Sequence, residues 1–281
     1  MKRIRGGRGL GDSIYLRPIV EHFLRAREPV TVLSDYPGVF AGLSATVEPF
    51  SRFRVDVLAH YVLGKANPTT NQWQDICNSA RVNVPLRFAW EPINHELLRS
   101  VAHQASGRPV VLVHGGRTPM GRTDGFGAEL LPQEKAFRAT LDALGEVFLV
   151  RIGSSAASPS QHPVLAKSPP LYDLPCHLNL SDQTTVTDLL DLASTCDGVV
   201  GQCSFVIPLA EALDKPLLIV WAAVGLASRT PYIAQITPAK VLSKPSSWHV
   251  SDDWDVARIA HVTDAWLKTR YWPEEIRACA S

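Results

Sequence analysis

The sequence has no long hydrophobic run, no strong net charge and no cysteine pattern typical of a metal site. No apolar run in the 281 residues approaches the ~18 residues that cross a bilayer. The first residues pass from charge into a short strand and glycines, without the apolar core of a signal peptide. The five cysteines form no C-x-x-C pair. We therefore expect a cytoplasmic protein with reduced thiols and no metal.

The charge balance excludes a polybasic nucleic-acid binder, because the net charge is only +1. The charges are unevenly distributed, however. Residues 1–105 hold 13 Lys and Arg against nine Asp and Glu, a net +4, and residues 106–281 have a net −3. A basic first half suits an anionic partner, although ordinary solvated charge explains it equally well.

Several catalytic signatures are also missing. The sequence contains no G-x-S-x-G nucleophile elbow, no H-E-x-x-H zinc motif, no kinase motif set and no Gly-Lys-Ser/Thr phosphate loop. The seven tryptophans are dispersed, which argues against a stacking surface for single-stranded nucleic acid.

Short β-rich runs alternate with helical patterns, which predicts an α/β fold with parallel sheets. A strand, a glycine turn and an amphipathic helix begin the chain, and the same order restarts after residue 109. We expect two Rossmann-like domains, 1–105 and 106–281, with a cleft between them. Predicted strands cover 2–5, 29–33, 55–58, 110–113, 147–151, 198–200 and 217–221. Predicted helices cover 12–27, 95–104, 133–144, 187–195, 206–213 and 256–267, with a further short helix ending near residue 80.

A glycine-rich loop joins the first strand to the first helix, with glycines at 6, 7, 9 and 11 followed by Asp12. Such glycines let backbone N–H groups approach a ligand, and a helix N-terminus favours negative charge. Asp12 has two possible roles. It either caps the helix or acts as a general base on an acceptor hydroxyl.

This loop and the apolar helix that contains Pro18 resemble the opening of the heptosyltransferase-like, family 9-type glycosyltransferases. The resemblance implies a GT-B fold, with two Rossmann-like domains whose parallel sheets face a central cleft. It implies that the second domain binds a nucleotide-sugar donor. It assigns the catalytic base to Asp12, and the acceptor-side loop to Arg8, Gly9, Leu10 and Gly11.

The resemblance continues at 196–213, where a strand, a polar turn and a helix match the family's donor-diphosphate segment. It assigns donor contacts to Gln202, Cys203, Ser204 and Phe205. We expect Ser204 to be the helix N-cap, with the N–H groups of residues 205–207 facing phosphate. The family's Asp, Gly and His are replaced at 203, 205 and 208. Core packing is the alternative role for Cys203, Phe205 and Val206.

The resemblance places a second donor-side loop after the strand at 110–113, containing His114, Gly115, Gly116, Arg117 and Arg122. Either arginine could neutralise a leaving diphosphate through bidentate hydrogen bonds. The alternatives are a surface loop with two solvated arginines and a structural role for His114.

Asp253-Trp254-Asp255 spells the D-x-D motif that metal-dependent glycosyltransferases use. Because it precedes an apparent helix at 256–267, where acidic residues suit the helix dipole, we expect a structural role and no metal cofactor.

The sequence thus predicts a metal-independent, inverting glycosyltransferase that uses a nucleotide-diphosphate sugar. The chain is short for a lipopolysaccharide heptosyltransferase, and the resemblance is loosest at residues 40–105, where acceptors bind in this family. The acceptor is therefore either a saccharide or lipopolysaccharide-type glycan, or a hydroxylated DNA base, as for compact phage enzymes. The alternative is a non-catalytic nucleotide- or sugar-binding protein on the same fold.

Overall fold

A computed structural model describes residues 1–61, 70–115, 132–153, 174–223, 238–244 and 247–269. The first half of the chain forms a four-stranded parallel sheet with the order β3-β2-β1-β4. Its strands are β1 (Lys2–Arg5), β2 (Val30–Leu33), β3 (Thr46–Glu48) and β4 (Val57–Leu58). The helices of this half are α1 (Leu10–Arg25) and α2 (Gln72–Ala80), together with a 3-10 turn at Pro37–Phe40.

The second half forms a six-stranded parallel sheet with the order β10-β9-β8-β5-β6-β7. Its strands are β5 (Val110–His114), β6 (Phe148–Arg151), β7 (Leu178–Asn179), β8 (Gly198–Gly201), β9 (Leu217–Trp221) and β10 (Ser247–Ser251). Its helices are α4 (Glu134–Asp142), α5 (Val186–Thr195), α6 (Val206–Ala212), α7 (Pro238–Val241) and α8 (Val256–Leu267). Helix α3 (His95–Ala105) precedes β5 and packs against α5.

The parallel sheets follow from strands that are apolar on both faces. Strands β2, β8 and β9 are buried throughout, as expected when helices cover both sides of a sheet. Local signals fix the helix ends. Thr185 and Asp188 form a reciprocal capping box at the start of α5, and Asn94 caps α3 by accepting a hydrogen bond from the Leu97 N–H.

The predicted two-sheet α/β architecture is confirmed, and the strands and helices with predicted bounds are all present, with ends no more than two residues from those expected. Strands β1 and β9 begin and end where the sequence predicted. The structure adds four elements that the sequence pattern did not predict: β3, β7, α7 and β10. No helix in the described part of the chain has the length and apolar character that crossing a membrane would require.

A single apolar cluster runs through both halves of the chain. It contains Ile4 and Ile14 from the first sheet layer and Leu112, Leu190 and Ile207 from the second, all at most 2% exposed. A second cluster lies on the other face of the six-stranded sheet, around Phe137 and Trp266. The two sheets are therefore joined by a continuous hydrophobic core.

The segment that connects the halves is held by a fully buried carboxylate. Asp191 of α5 accepts hydrogen bonds from Trp90 Nε1 at 2.6 Å and from the backbone N–H groups of Ile93 and Asn94. Upstream, the Phe88 N–H donates to the Ala212 carbonyl at the end of α6. The predicted domain boundary at residues 105 and 106 stays a prediction, and residues 88–94 before it contact helices of the second half.

Candidate functional site

The candidate site lies at the loops that follow β1, β5 and β8, where α1 packs against α6. In parallel α/β sheets, loops at the carboxyl edge bind ligands because each strand there passes into a helix N-terminus. The loop after β1 leads into α1, and the turn after β8 leads into α6. The sequence predicted both as site segments.

Asp12 lies in the first turn of α1 and folds back over the glycine loop. Its Oδ2 accepts a hydrogen bond from the Gly9 N–H at 2.9 Å. Burial raises the pKa of Asp12 above its usual value, and the Gly9 N–H and the Tyr61 hydroxyl offset part of that rise because both favour the anion. The capping and catalytic roles predicted for Asp12 are therefore compatible.

Gly7 supports this carboxylate from behind. A methyl group at Gly7 would overlap the Asp12 carboxylate, and one at Gly9 would lie 3.0 Å from Oδ2. The loop thus needs glycine at position 7 for close approach, since only a residue without Cβ leaves room for Asp12.

Arg8 points away from Asp12 and pairs with Asp35. Its Nε donates to Asp35 Oδ2 at 2.7 Å, and the Phe50 N–H donates to the other carboxylate oxygen. These contacts hold the pKa of Asp35 below its usual value. Arg8, Asp35 and Glu48 line an open cavity of about 440 Å³ at the carboxyl ends of β2 and β3, with Ser34, Pro37, Val47 and Pro49.

His114, at the end of β5, is buried beside the turn that follows β8. Its Nδ1 shares a hydrogen bond of 3.2 Å with the Ser204 hydroxyl, and its ring meets the Phe205 ring edge-on at 4.6 Å. Burial lowers the pKa of His114 to about 4, and the positive charge of Arg151 acts in the same direction. The imidazole is therefore neutral at physiological pH and serves to hold Ser204 and Phe205.

The turn after β8 differs from the prediction in its capping. The helix N-cap is Phe205, not Ser204, and it has no side-chain capping bond. The Ser204 Oγ accepts from the Val206 N–H at 3.5 Å, and the Ser204 carbonyl accepts from the Ile207 N–H at 3.2 Å. Two of the three N–H groups predicted to face phosphate thus already donate within the turn, because the turn is tighter than the sequence suggested.

The side chains of this turn also pack into the core. Gln202 is buried, and Cys203 and Phe205 lie against the larger apolar cluster. Burial raises the pKa of the Cys203 thiol to about 12, so it stays protonated and unreactive at neutral pH. This geometry agrees with the packing role proposed for Cys203, Phe205 and Val206.

The glycine loop and the β8 turn are in direct contact. A Cβ built on Gly11 would lie 3.3 Å from Phe205 Cα and 3.4 Å from Pro208 Cγ. Gly11 therefore lets the first turn of α1 pack tightly against the first turn of α6. The structure therefore brings the glycine loop that carries Asp12 next to the Gln202–Phe205 turn.

Comparison with known proteins identifies this arrangement. No protein-family model matches the chain, and no curated protein matches its sequence. Solved structures do match. The glycosyl transferase family 9 protein from Veillonella parvula aligns with a TM-score of 0.58 at 9% identity, over 95% of this chain and 97% of its own. The ADP-heptose lipopolysaccharide heptosyltransferase II of E. coli aligns with a TM-score of 0.55 at 15% identity. That alignment covers 95% of this chain and 98% of the E. coli protein. The E. coli heptosyltransferase WaaC with ADP aligns with a TM-score of 0.52 at 11% identity. That alignment covers 95% of this chain and 100% of WaaC.

The chain has a GT-B fold. Because the identities are low, the similarity establishes the arrangement of the two sheets and leaves the chemistry to be argued from this chain's own residues.

Within the GT-B fold, the predicted donor-side loop is only partly described. His114 is the last residue of β5, and Gly115, which follows it, lies against Leu174. Gly116, Arg117 and Arg122 lie outside the described residues. Their predicted contacts with a diphosphate stay predictions.

The D-x-D motif has a structural role at the start of α8. Asp255 is the N-cap, and its Oδ1 accepts from the Arg258 N–H at 2.7 Å, while the Arg258 guanidinium stacks on Trp254. Across the described ranges, no group of three or more His, Cys, Asp or Glu side chains is arranged to hold a metal ion.

Tyr61 is the site residue that sequence reasoning missed. It lies 49 positions after Asp12 and belongs to no motif. Its effect on the pKa of Asp12 depends on β4 lying beside β1, which brings the carboxyl ends of both strands together. A correct strand order would have been the only sequence-level signal.

Proposed function

We propose that the chain is a glycosyltransferase that moves a sugar from a nucleotide-diphosphate sugar to an acceptor hydroxyl, with inversion and without a metal ion. The observation that carries the proposal is the contact between the glycine loop of Asp12 and the β8 turn. The proposed general base and the proposed donor-side turn are thereby adjacent, in a fold shared with heptosyltransferases.

The chemistry assigned to Asp12 follows from its surroundings. Its carboxylate takes the proton of the acceptor hydroxyl while that oxygen attacks the anomeric carbon from the face opposite the leaving group. The bond from the anomeric carbon to the diphosphate breaks, and the nucleoside diphosphate leaves with the bond's electron pair. A raised pKa suits this role, because a more basic carboxylate accepts a proton more readily near neutral pH.

We assign the donor to the second half of the chain, with the diphosphate over Gln202–Phe205 and beside His114 and Gly115. Arg117 or Arg122 would neutralise the charge that develops on the leaving diphosphate. We assign residues 1–105 to the acceptor side and residues 106–281 to the donor side.

The acceptor would approach along Gly9, Leu10 and Gly11, with Arg8 at the cavity that contains Asp35 and Glu48. A cavity lined by two carboxylates suits a neutral, hydroxyl-bearing group, since carboxylates accept hydrogen bonds from hydroxyls. A saccharide and a hydroxylated DNA base both meet that description.

The first experiment is thermal unfolding with a panel of nucleoside diphosphates and nucleotide sugars. A ligand at 100 times its Kd adds about 2.7 kcal/mol and raises Tm by about 5–10 °C in a chain of this size. A base-selective rise would identify the donor for acceptor screens. The absence of any rise would contradict the donor site.

Asp12→Ala is the matching catalytic test. It should reduce turnover by about a hundredfold or more while the Tm rise with nucleotide persists, since the carboxylate acts on the acceptor. Product is measured as released nucleoside diphosphate, with Asp264→Ala, a partly exposed carboxylate on α8, as the control. Unchanged turnover in Asp12→Ala would remove Asp12 from the mechanism.

One observation favours the second candidate, a non-catalytic nucleotide- or sugar-binding protein. The Val206 and Ile207 N–H groups donate within their own turn, which weakens the phosphate site that the family resemblance implies. Tight nucleotide binding without product from any donor and acceptor pair would support this candidate.

A further inference from the structure

The glycine loop of Asp12 is attached to the end of strand β2 by a series of hydrogen bonds through two buried serines. Ser34, the residue after β2, lies 2.7 Å from Ser13 of α1, measured between the two Oγ atoms, and both serines are at most 4% exposed. The Ser13 hydroxyl donates in turn to the Gly9 carbonyl at 3.3 Å. The Gly9 N–H donates to Asp12 Oδ2 at 2.9 Å. The end of β2 is therefore connected to the Asp12 carboxylate through Ser13 and Gly9.

The direction of these hydrogen bonds follows from the number of hydroxyl protons. A serine hydroxyl donates one hydrogen bond and accepts up to two. Because Ser13 donates to Gly9, the hydrogen bond between the two serines is donated by Ser34. Ser34 Oγ in turn accepts from the Tyr36 N–H at 3.0 Å. The series thus runs in one direction, from the Tyr36 N–H to the Gly9 carbonyl, and uses both hydroxyl protons.

The residue after Ser34 holds the same loop at a second point. Asp35 pairs with Arg8 at 2.7 Å, and Arg8 immediately precedes Gly9. Two consecutive residues at the end of β2 therefore hold two consecutive residues of the glycine loop. The Arg8 side chain is 54% exposed, whereas the serine pair is buried. The serine contact is the stronger constraint on the loop, since a hydrogen bond shielded from water is not weakened by competing solvent.

We propose that Ser34 is a positioning residue for Asp12. Its hydroxyl holds Ser13 against the Gly9 carbonyl, and this keeps the Gly9 N–H directed at the Asp12 carboxylate while an acceptor approaches. The inference rests on the proposed glycosyl transfer. Ser34 acts through the loop and not on the reacting atoms.

The position of Ser34 also relates the acceptor to the base. Ser34 lines the cavity of about 440 Å³ that we assign to the acceptor. An acceptor in this cavity packs against the residue that holds the loop. The acceptor hydroxyl and the Asp12 carboxylate are thereby both placed relative to the end of β2, a strand that is buried along its whole length.

The first test is Ser34→Ala, which removes the hydroxyl at the end of the strand. We expect kcat to fall by about tenfold with the donor KM within about twofold, because the base loses its orientation while the donor side is unchanged. Ser34→Thr keeps a hydroxyl and should restore most of the lost kcat. Thr31→Val is the matched control, since it removes a buried hydroxyl from β2 that has no hydrogen-bond partner among the described residues. Its kcat should match that of the wild type.

A second variant removes the other end of the same hydrogen bond. Ser13→Ala places a good helix former in α1 and should reduce kcat by a similar factor. The double variant with Ser34→Ala should lose little more than either single variant, because both serines act through one series of hydrogen bonds. Fully additive losses would contradict that shared route to Asp12.

Hydrogen exchange at the Gly9 amide gives a readout without substrate, because it reports whether this N–H stays bonded to Asp12. Exchange should be about tenfold faster in Ser34→Ala than in the wild type, and unchanged in Thr31→Val. Full kcat and unchanged Gly9 exchange in both serine variants would overturn the positioning role and leave glycosyl transfer intact. Faster exchange in Ser34→Ala, with a wild type that transfers no sugar, would refute glycosyl transfer and retain the hold of Ser34 on the loop.

Discussion

At the scale of single residues, the fit of the Asp12 carboxylate against Gly7 is a tight constraint on the glycine loop. Gly7→Ala would push the carboxylate out of the loop because no space exists for a Cβ. We expect a loss of kcat of about tenfold or more, since catalysis is sensitive to displacements of about 1 Å.

A double-mutant cycle isolates that effect. In the Asp12→Ala background the clash is absent, so Gly7→Ala should cause no further loss of turnover or of Tm. Equal losses in both backgrounds would show that Gly7 acts on the loop backbone rather than on Asp12.

His114 gives a pH-dependent stability. Its folded pKa of about 4 lies below the ordinary 6.5, so the unfolded chain binds more protons between those values. The free energy of unfolding should therefore fall as the pH falls from 6.5 to 4, by up to about 3 kcal/mol.

His114→Gln should lose most of this pH dependence, measured by urea unfolding at a series of pH values. The exposed His60→Gln should keep it. A wild-type slope that persists unchanged in His114→Gln would assign the effect to another group.

At the scale of elements, the connection between the sheets depends on Asp191. Its carboxylate accepts every hydrogen bond from Trp90, Ile93 and Asn94 described above, and it is fully buried. Asp191→Ala leaves these donors unsatisfied and should lower the free energy of unfolding by about 3–5 kcal/mol. Asp264→Ala, which breaks an exposed pair with Lys268, should cost less than about 1 kcal/mol. Similar losses in the two variants would contradict the anchoring role.

The elements that sequence reasoning found share a strong local signal. The fully buried β9 and the capped helices α5 and α8 carry their pattern in consecutive residues. Strand β3 is a three-residue edge strand with an exposed first residue, and β10 mixes serine, tryptophan and histidine. Neither strand carries an apolar run. Each lies at the edge of its sheet and pairs with one neighbouring strand, so it forms through that pairing and not through a local sequence pattern.

The site divides in the same way. Asp12 and the Gln202–Phe205 turn follow from motifs, whereas the effect of Tyr61 on Asp12 follows from strand order, which a local pattern does not encode. The one-residue shift of the cap from Ser204 to Phe205 reflects the contact of Ser204 with His114, which lies 90 positions away.

At the scale of the whole molecule, the larger apolar cluster joins both sheets. We therefore expect a single cooperative unfolding transition, because neither half retains a complete core alone. Tryptophan fluorescence and far-ultraviolet circular dichroism should give coincident urea transitions. Two resolved transitions, with nucleotide shifting only one, would show that the halves unfold independently.

The close approach of the Asp12 carboxylate to Gly7 also has a consequence for how the two positions change in evolution. A side chain at position 7 would displace the Asp12 carboxylate from its place in the loop. In a descendant that has lost Asp12, a side chain at position 7 displaces no carboxylate, so substitutions there should be tolerated. A relative with a side chain at position 7 should therefore also lack the acid at position 12. The two changes together would indicate a protein that keeps this fold without the reaction proposed for Asp12.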